Sequence, residues 1–212
     1  MSMPHAQPIV FVVDDDVSVR ESLELLIRCA GWQPQTFASA QAFLGRPRTG
    51  DAPSCLVLDV TLPDLNGLDL QALVTAERSD MPIIFISGYG DVPMTVRAMK
   101  AGAADFLTKP FGDEALLGAI RHAIERSGSA LGRAAELRAL RDRYASLTGR
   151  EREVMALVVR GRLNKQIGGE LGISEITVKA HRGKVMRKMQ ADSLASLVNM
   201  AGKIRPAAAQ EG

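Results

Sequence analysis

The sequence predicts an α/β domain on a doubly wound, five-stranded parallel sheet, joined through a helical linker to a smaller all-α domain of four helices. Three observations carry this. Short apolar runs alternate with segments of helical period through the first 126 residues and then stop, which is how a parallel sheet covered by helices reads. Charge is split in the same place: Met1 to Arg126 holds 10 Lys+Arg against 16 Asp+Glu, net −6, whereas Ser127 to Gly212 holds 16 against 8, net +8. The 212 residues also exceed the commonest single-domain size and suit two domains.

The expected strands are residues 9–13, 33–37, 55–58, 83–86 and 104–107, with helices over 18–29, 39–44, 68–78, 94–100 and 114–125. Gly31, Gly102 and Pro110 punctuate the connections. The second strand carries the weakest signal, because Gln33, Gln35 and Thr36 dilute it and Pro34 suits only a sheet edge. These elements make a first domain over residues 6–126.

Residues 127–147 read as an exposed helical linker, with Ala130, Leu137, Leu140, Tyr144 and Leu147 on one stripe among arginines. About two heptads are too few for a sustained coiled coil. Residues 148–205 then read as a second domain, with helices over 150–160, 165–171, 176–188 and 193–204.

Several classes are set aside. No apolar run approaches the ~20 residues of a membrane span, and MSMPHAQPIV lacks the layout of a secretory signal. A cytoplasmic protein without a membrane partner is expected. Cys29 and Cys55 have no CxxC or histidine neighbour, so both read as buried, reduced thiols. The basic back half fits nucleic acid or an anionic surface.

In an open parallel sheet the strand carboxyl ends converge on one crevice. Asp14, Asp15 and Asp16 follow the first strand, Asp59 ends the third, Ser87 and Gly88 end the fourth, and Lys109 follows the fifth. Converging carboxylates repel unless a cation joins them, and hard oxygen ligands suit magnesium. Taken singly each piece has an ordinary reading, and Asp16 fits a helix N-cap. Chance placement of the whole set at strand ends is improbable.

VVDDD at 12–16, LDVTLPDLNG at 58–67, ISGYGD at 86–91 and FLTKPF at 106–111 resemble the receiver domains of two-component response regulators, over residues 8–126. Such receivers are flavodoxin-like. The resemblance implies that Asp59 accepts a phosphoryl group from a sensor histidine kinase. It further implies that Asp15 and Asp59 ligate one magnesium ion directly, with the backbone carbonyl of Thr61, while Asp14 acts through water. Ser87 and Lys109 would each hold a phosphoryl oxygen, and Phe106 would turn inward as the switch residue. An acyl phosphate supplies the charge and acceptors for that pull.

Residues 146–201 resemble the DNA-binding domain of the LuxR/NarL/FixJ type. By that resemblance 165–171 is the supporting helix, Gly172 and Ile173 the turn, and 175–188 the recognition helix in the major groove, with Ser174 as its N-cap. Lys179 and Ala180 would face bases; Lys165, Thr177, His181 and Arg182 would mainly hold phosphates, with Lys184 in the same basic set. Gly168 and Gly183 depart from the pattern, and Gly183 leaves a contact position without a side chain. A membrane-surface helix is disfavoured by the missing lipid-facing aromatics.

The combined expectation is a FixJ-like regulator and not an enzyme: phosphorylated on Asp59, it would form a homodimer and bind double-stranded promoter DNA, with RNA polymerase a further candidate partner. The resemblance points to dimer contacts on the fourth helix and fifth strand, at Val92, Val96 and Lys100, and on the last helix at Leu197. One alternative is a phosphohydrolase of the haloacid dehalogenase type. Thr61 stands where that class carries its second aspartate. The other is a DNA-binding factor with a degenerate receiver, working without phosphorylation.

Overall fold

The computed structural model describes residues 7–47, 52–88 and 92–204. They divide between two compact units that meet in sequence at Gly132 and Arg133. The first contains β1 (Ile9–Val13), α1 (Val17–Cys29), β2 (Gln33–Phe37), α2 (Ala40–Leu44), β3 (Ser54–Asp59), α3 (Gly67–Glu77), β4 (Ile83–Ser87), α4 (Val92–Lys100), β5 (Asp105–Thr108) and the start of α5 (Asp113–Ala145).

The five strands form one sheet in the order β2-β1-β3-β4-β5, and every pairing is parallel. β1, β3 and β4 are buried along their whole length, which is why their sequences are unbroken apolar runs and not alternating ones. Successive residues serve opposite faces. Phe11, Leu56, Leu58 and Phe85 pack with Phe43 and Leu70 on one side. Val10, Val12, Val57, Ile84 and Ile86 pack with Ile27, Leu116 and Ile120 on the other. β2 lies on the edge, where Pro34 opposite Val10 costs no inner ladder bond.

Helix caps fix how the chain leaves the strands. The Asp16 carboxylate caps α1 by accepting from the Ser18 and Val19 amides, as its sequence position suggests. Asn66 caps α3, and Gly67 follows in its first turn. A Cβ on Gly67 would lie 2.7 Å from the Asp59 carbonyl oxygen and 2.9 Å from Val60 Cα. Only glycine lets α3 start this close to the end of β3.

The second unit contains the remainder of α5, then α6 (Gly149–Val158), α7 (Asn164–Leu171), α8 (Glu175–Met189) and α9 (Leu194–Ile204). Its core gathers Leu140, Leu147, Val154, Ile167, Val178, Val185, Met189 and Leu197. Gly172 turns the chain between α7 and α8 at φ 66°. A Cβ on Gly168 would lie 2.7 Å from the Ile173 carbonyl oxygen, so that glycine trades helix propensity for a closely folded turn.

Three expectations need correction. The helix expected to stop near residue 125 runs on to Ala145, and its stripe is not solvated: Leu140 and Leu147 are core residues of the second unit, while Ser127 is buried in the first and its hydroxyl accepts from the Ser54 amide at 3.0 Å. The C-terminal part of the stripe is apolar because Leu140, Tyr144 and Leu147 pack into the core of the second unit. Cys29 is exposed in the last turn of α1, so only Cys55 fits the buried reading; burial pushes the Cys55 thiol pKa up. Leu197 is 1% exposed, because it faces α9's own domain; Leu194 and Val198 are the exposed apolar positions of that helix. Among the described residues, no helix is long and apolar enough to cross a membrane.

Candidate functional site

The carboxyl ends of β1, β3 and β4 and the turn after β5 bring the expected acidic set together. Asp14, Asp15 and Asp59 offer carboxylate oxygens that all lie within 4.8 Å of one another. Asp14 is fully buried, Asp59 nearly so, and Asp15 exposed. Lys109 crosses between the two buried carboxylates, its Nζ donating to Asp14 Oδ2 at 2.7 Å and to Asp59 Oδ2 at 2.8 Å.

The surrounding backbone holds this arrangement. Asp14 Oδ1 accepts from the Asp16 amide at 2.9 Å, and Asp59 Oδ1 from the Thr61 amide at 3.0 Å. Each buried carboxylate thus spends one oxygen on its own loop and the other on lysine. Burial raises the Asp14 pKa above the ordinary carboxylate value, against the opposing hydrogen bond from Lys109. For Lys109, burial works against the charge, but its bonds to Asp14 and Asp59 prevail and the pKa is raised.

Ser87 is buried at the end of β4, and its carbonyl accepts from the Lys109 amide at 2.7 Å. Phe106 on β5 is half-buried, its ring 6.1 Å from that of Phe85. Sequence reasoning missed Arg20, whose Nη1 donates to the Asp14 carbonyl at 2.6 Å and so braces the acidic loop from α1. Its place one turn into α1, six residues after Asp14, was the available signal. Tyr89, Gly90 and Asp91 of the ISGYGD run lie outside the described residues.

In the second unit α8 shows its residues clearly by burial. Val178, Val185 and Met189 face the core, while Lys179, Ala180 and Lys184 are exposed, as is Lys165 on α7. Two expected contacts, Thr177 and Arg182, have internal hydrogen bonds, and a third, His181, is half-buried. Thr177 bonds Ser174 Oγ at 2.8 Å and its amide is capped by the same hydroxyl. Arg182 Nη1 donates to Asn164 Oδ1 at 2.7 Å, tying α8 to the start of α7. His181 Nδ1 is enclosed, without a hydrogen-bond partner among the described residues. Lys188, a basic residue of the same helix, turns inward to Glu151 at 2.7 Å and the Ser146 carbonyl at 3.0 Å. That hydrogen bond, with the Thr148 amide, pulls the Glu151 pKa down from 4.5 to about 2.

On α4 Val92, Val96 and Lys100 are all exposed, Val92 at 76%. They share one helix with Met99, which is also exposed.

Comparison with known proteins agrees with both units. Residues 10–121 match the response regulator receiver domain, and residues 145–201 match the luxR family of bacterial regulatory proteins. The chain is 50% identical over 192 residues to Nodulation protein W of Bradyrhizobium diazoefficiens, covering 91% of this chain and 84% of that one. It is 43% identical over 192 residues to the transcriptional regulatory protein FixJ of the same organism, covering 91% and 93%. The solved structure of the response regulator StyR is similar with a TM-score of 0.85 at 48% identity, over 93% of this chain and 100% of that one. This chain therefore belongs to the response regulators that join a receiver domain to a LuxR-type DNA-binding domain, a class of transcriptional regulators and not of enzymes.

Proposed function

We propose that phosphoryl transfer to Asp59 switches this regulator, and that the switched form binds promoter DNA as a homodimer. The observation that carries the reading is the convergence of Asp14, Asp15 and Asp59 with Lys109 bridging two of them. Three carboxylates this close call for more positive charge than one ammonium supplies.

The donor is a phosphohistidine of a sensor kinase. An Asp59 carboxylate oxygen attacks phosphorus, the P–N bond breaks, and its electron pair stays on the histidine ring, which takes a proton from solvent. The oxygen-only donor set fits magnesium: Asp15, Asp59 and the Thr61 carbonyl would hold the ion directly, and Asp14 through water. When bound, the ion neutralises charge gathering on the transferred phosphoryl oxygens. Lys109 already sits 2.8 Å from Asp59 and passes to a phosphoryl oxygen once one is present. The Ser87 hydroxyl approaches another, and Phe106 follows the end of β4 inward. The working domains are residues 6–126, to which Ser127 is added, and 148–205, to which Leu140 and Leu147 of the connecting segment 127–147 contribute core.

In the second domain Lys165 and Lys184 supply phosphate attraction from exposed positions, and the exposed Lys179 is directed at bases. Ala180 faces bases, while Thr177, His181 and Arg182 act through the fold as much as through DNA. Val92, Val96 and Lys100 form a dimer contact on the first domain, and Leu194 and Val198 take over the role expected of Leu197 on α9. Such a protein works in the cytoplasm, beside RNA polymerase.

The test uses the full chain with acetyl phosphate and magnesium chloride. Intact mass should show one added phosphoryl group in the wild type, none in Asp59→Asn, and none when EDTA replaces the metal. An equal gain in Asp59→Asn would overturn the assignment.

A further inference from the structure

The outermost line of α8 carries no hydrogen-bonding side chain over its first turns. Steps of four and three residues run from Ile176 through Ala180 to Gly183, on the side of the helix opposite Val178, Val185 and Met189. All three are exposed. Lys179 and Lys184 flank the line. Ile176 is 80% exposed, the most exposed large apolar side chain among the described residues, and it stands in the first turn of the helix. Its own domain covers little of it, so most of its apolar surface does not serve the fold. Ile176 itself has no place among the expected DNA contacts.

A recognition helix offers its N-terminal residues to base edges in the major groove. The cationic flanks can bring this helix to the phosphates, but the ridge between them can neither donate nor accept a hydrogen bond. One base-edge group in the major groove is apolar: the thymine C5-methyl. We propose that Ile176 is a specificity-determining residue that reads a thymine methyl group in each half-site. Direct readout by this helix then includes a methyl contact beside the base contact of Lys179, with Gly183 leaving room where a polar side chain would otherwise compete. The assignment rests on the second domain binding duplex DNA.

The experiment selects duplexes from a random pool with the full chain. Each thymine of the selected site is then replaced singly by deoxyuridine, which removes only the methyl. Losing one buried methyl contact should weaken wild-type binding roughly four-fold at one position per half-site, on the scale of ~0.8 kcal/mol per buried group. Ile176→Ala, whose altered side chain lies outside the core, should bind thymine and deoxyuridine equally there, with its salt dependence unchanged. Either no deoxyuridine effect in the wild type or an equal effect in Ile176→Ala would overturn the proposal. If the wild type bound no duplex at all, the DNA-binding reading would fall, and this proposal with it.

Discussion

Gly67 and Asp59 are eight residues apart in sequence and touch through their backbones: a Cβ on Gly67 would press into the Asp59 carbonyl, Val60 Cα and the Phe85 ring, the last at 3.2 Å. Overpacking of this kind costs ~1–3 kcal/mol. Gly67→Ala should therefore lower the urea midpoint of the first unit and slow phosphoryl uptake by Asp59, because the strand end carrying the carboxylate has to move. Unchanged unfolding and labelling would show that the α3 start is free to shift. At Gly183 the opposite holds, since nothing lies within 4 Å of a Cβ there. Gly183→Ala should stabilise the second unit by ~0.5–1 kcal/mol through helix propensity alone, read as a higher thermal midpoint.

Among the elements, α6 and α8 are joined by the Glu151–Lys188 pair, with Glu151 also accepting from the Thr148 amide at 2.9 Å in a capping box. The Glu151 pKa is depressed in the folded state, to about 2 from 4.5. A group depressed in this way adds stability that is complete above its unfolded value and fades as pH falls through the folded one. The thermal midpoint of the second unit should thus drop as pH is lowered from about 4.5 towards about 2, and Glu151→Gln should flatten that limb while lowering the midpoint at neutral pH. Lys188 sits in a basic helix yet pairs inside its own domain. Helical phase sets it at the edge of the buried face of Val185 and Met189, within reach of Glu151.

At the scale of the whole molecule, an acidic front and a basic back divide the labour, and each makes its own demand. DNA affinity should fall steeply with salt, with a log–log slope near −0.9 per phosphate contact, and Lys165→Ala should reduce that slope by ~1 without changing the preferred sequence. Light scattering on the full chain should move from monomer to dimer mass on adding an acyl-phosphate analogue, and Val96→Asp should block the move. The helix-turn-helix came by resemblance, whereas the strand and helix pattern and the acidic set were legible in the chain alone, because strand-end placement and helix caps are local and leave period and residue type on display. Asp14, Asp59, Ser87 and Lys109 were legible for that reason. Which face of a helix is covered became visible in the folded chain: Leu140, Leu147 and Leu197 are buried, Leu194, Val198 and Ile176 are exposed, and Lys188 and Arg182 turn to internal partners. Burial depends on which neighbours arrive from distant parts of the chain, and no single helix carries that information in its own spacing.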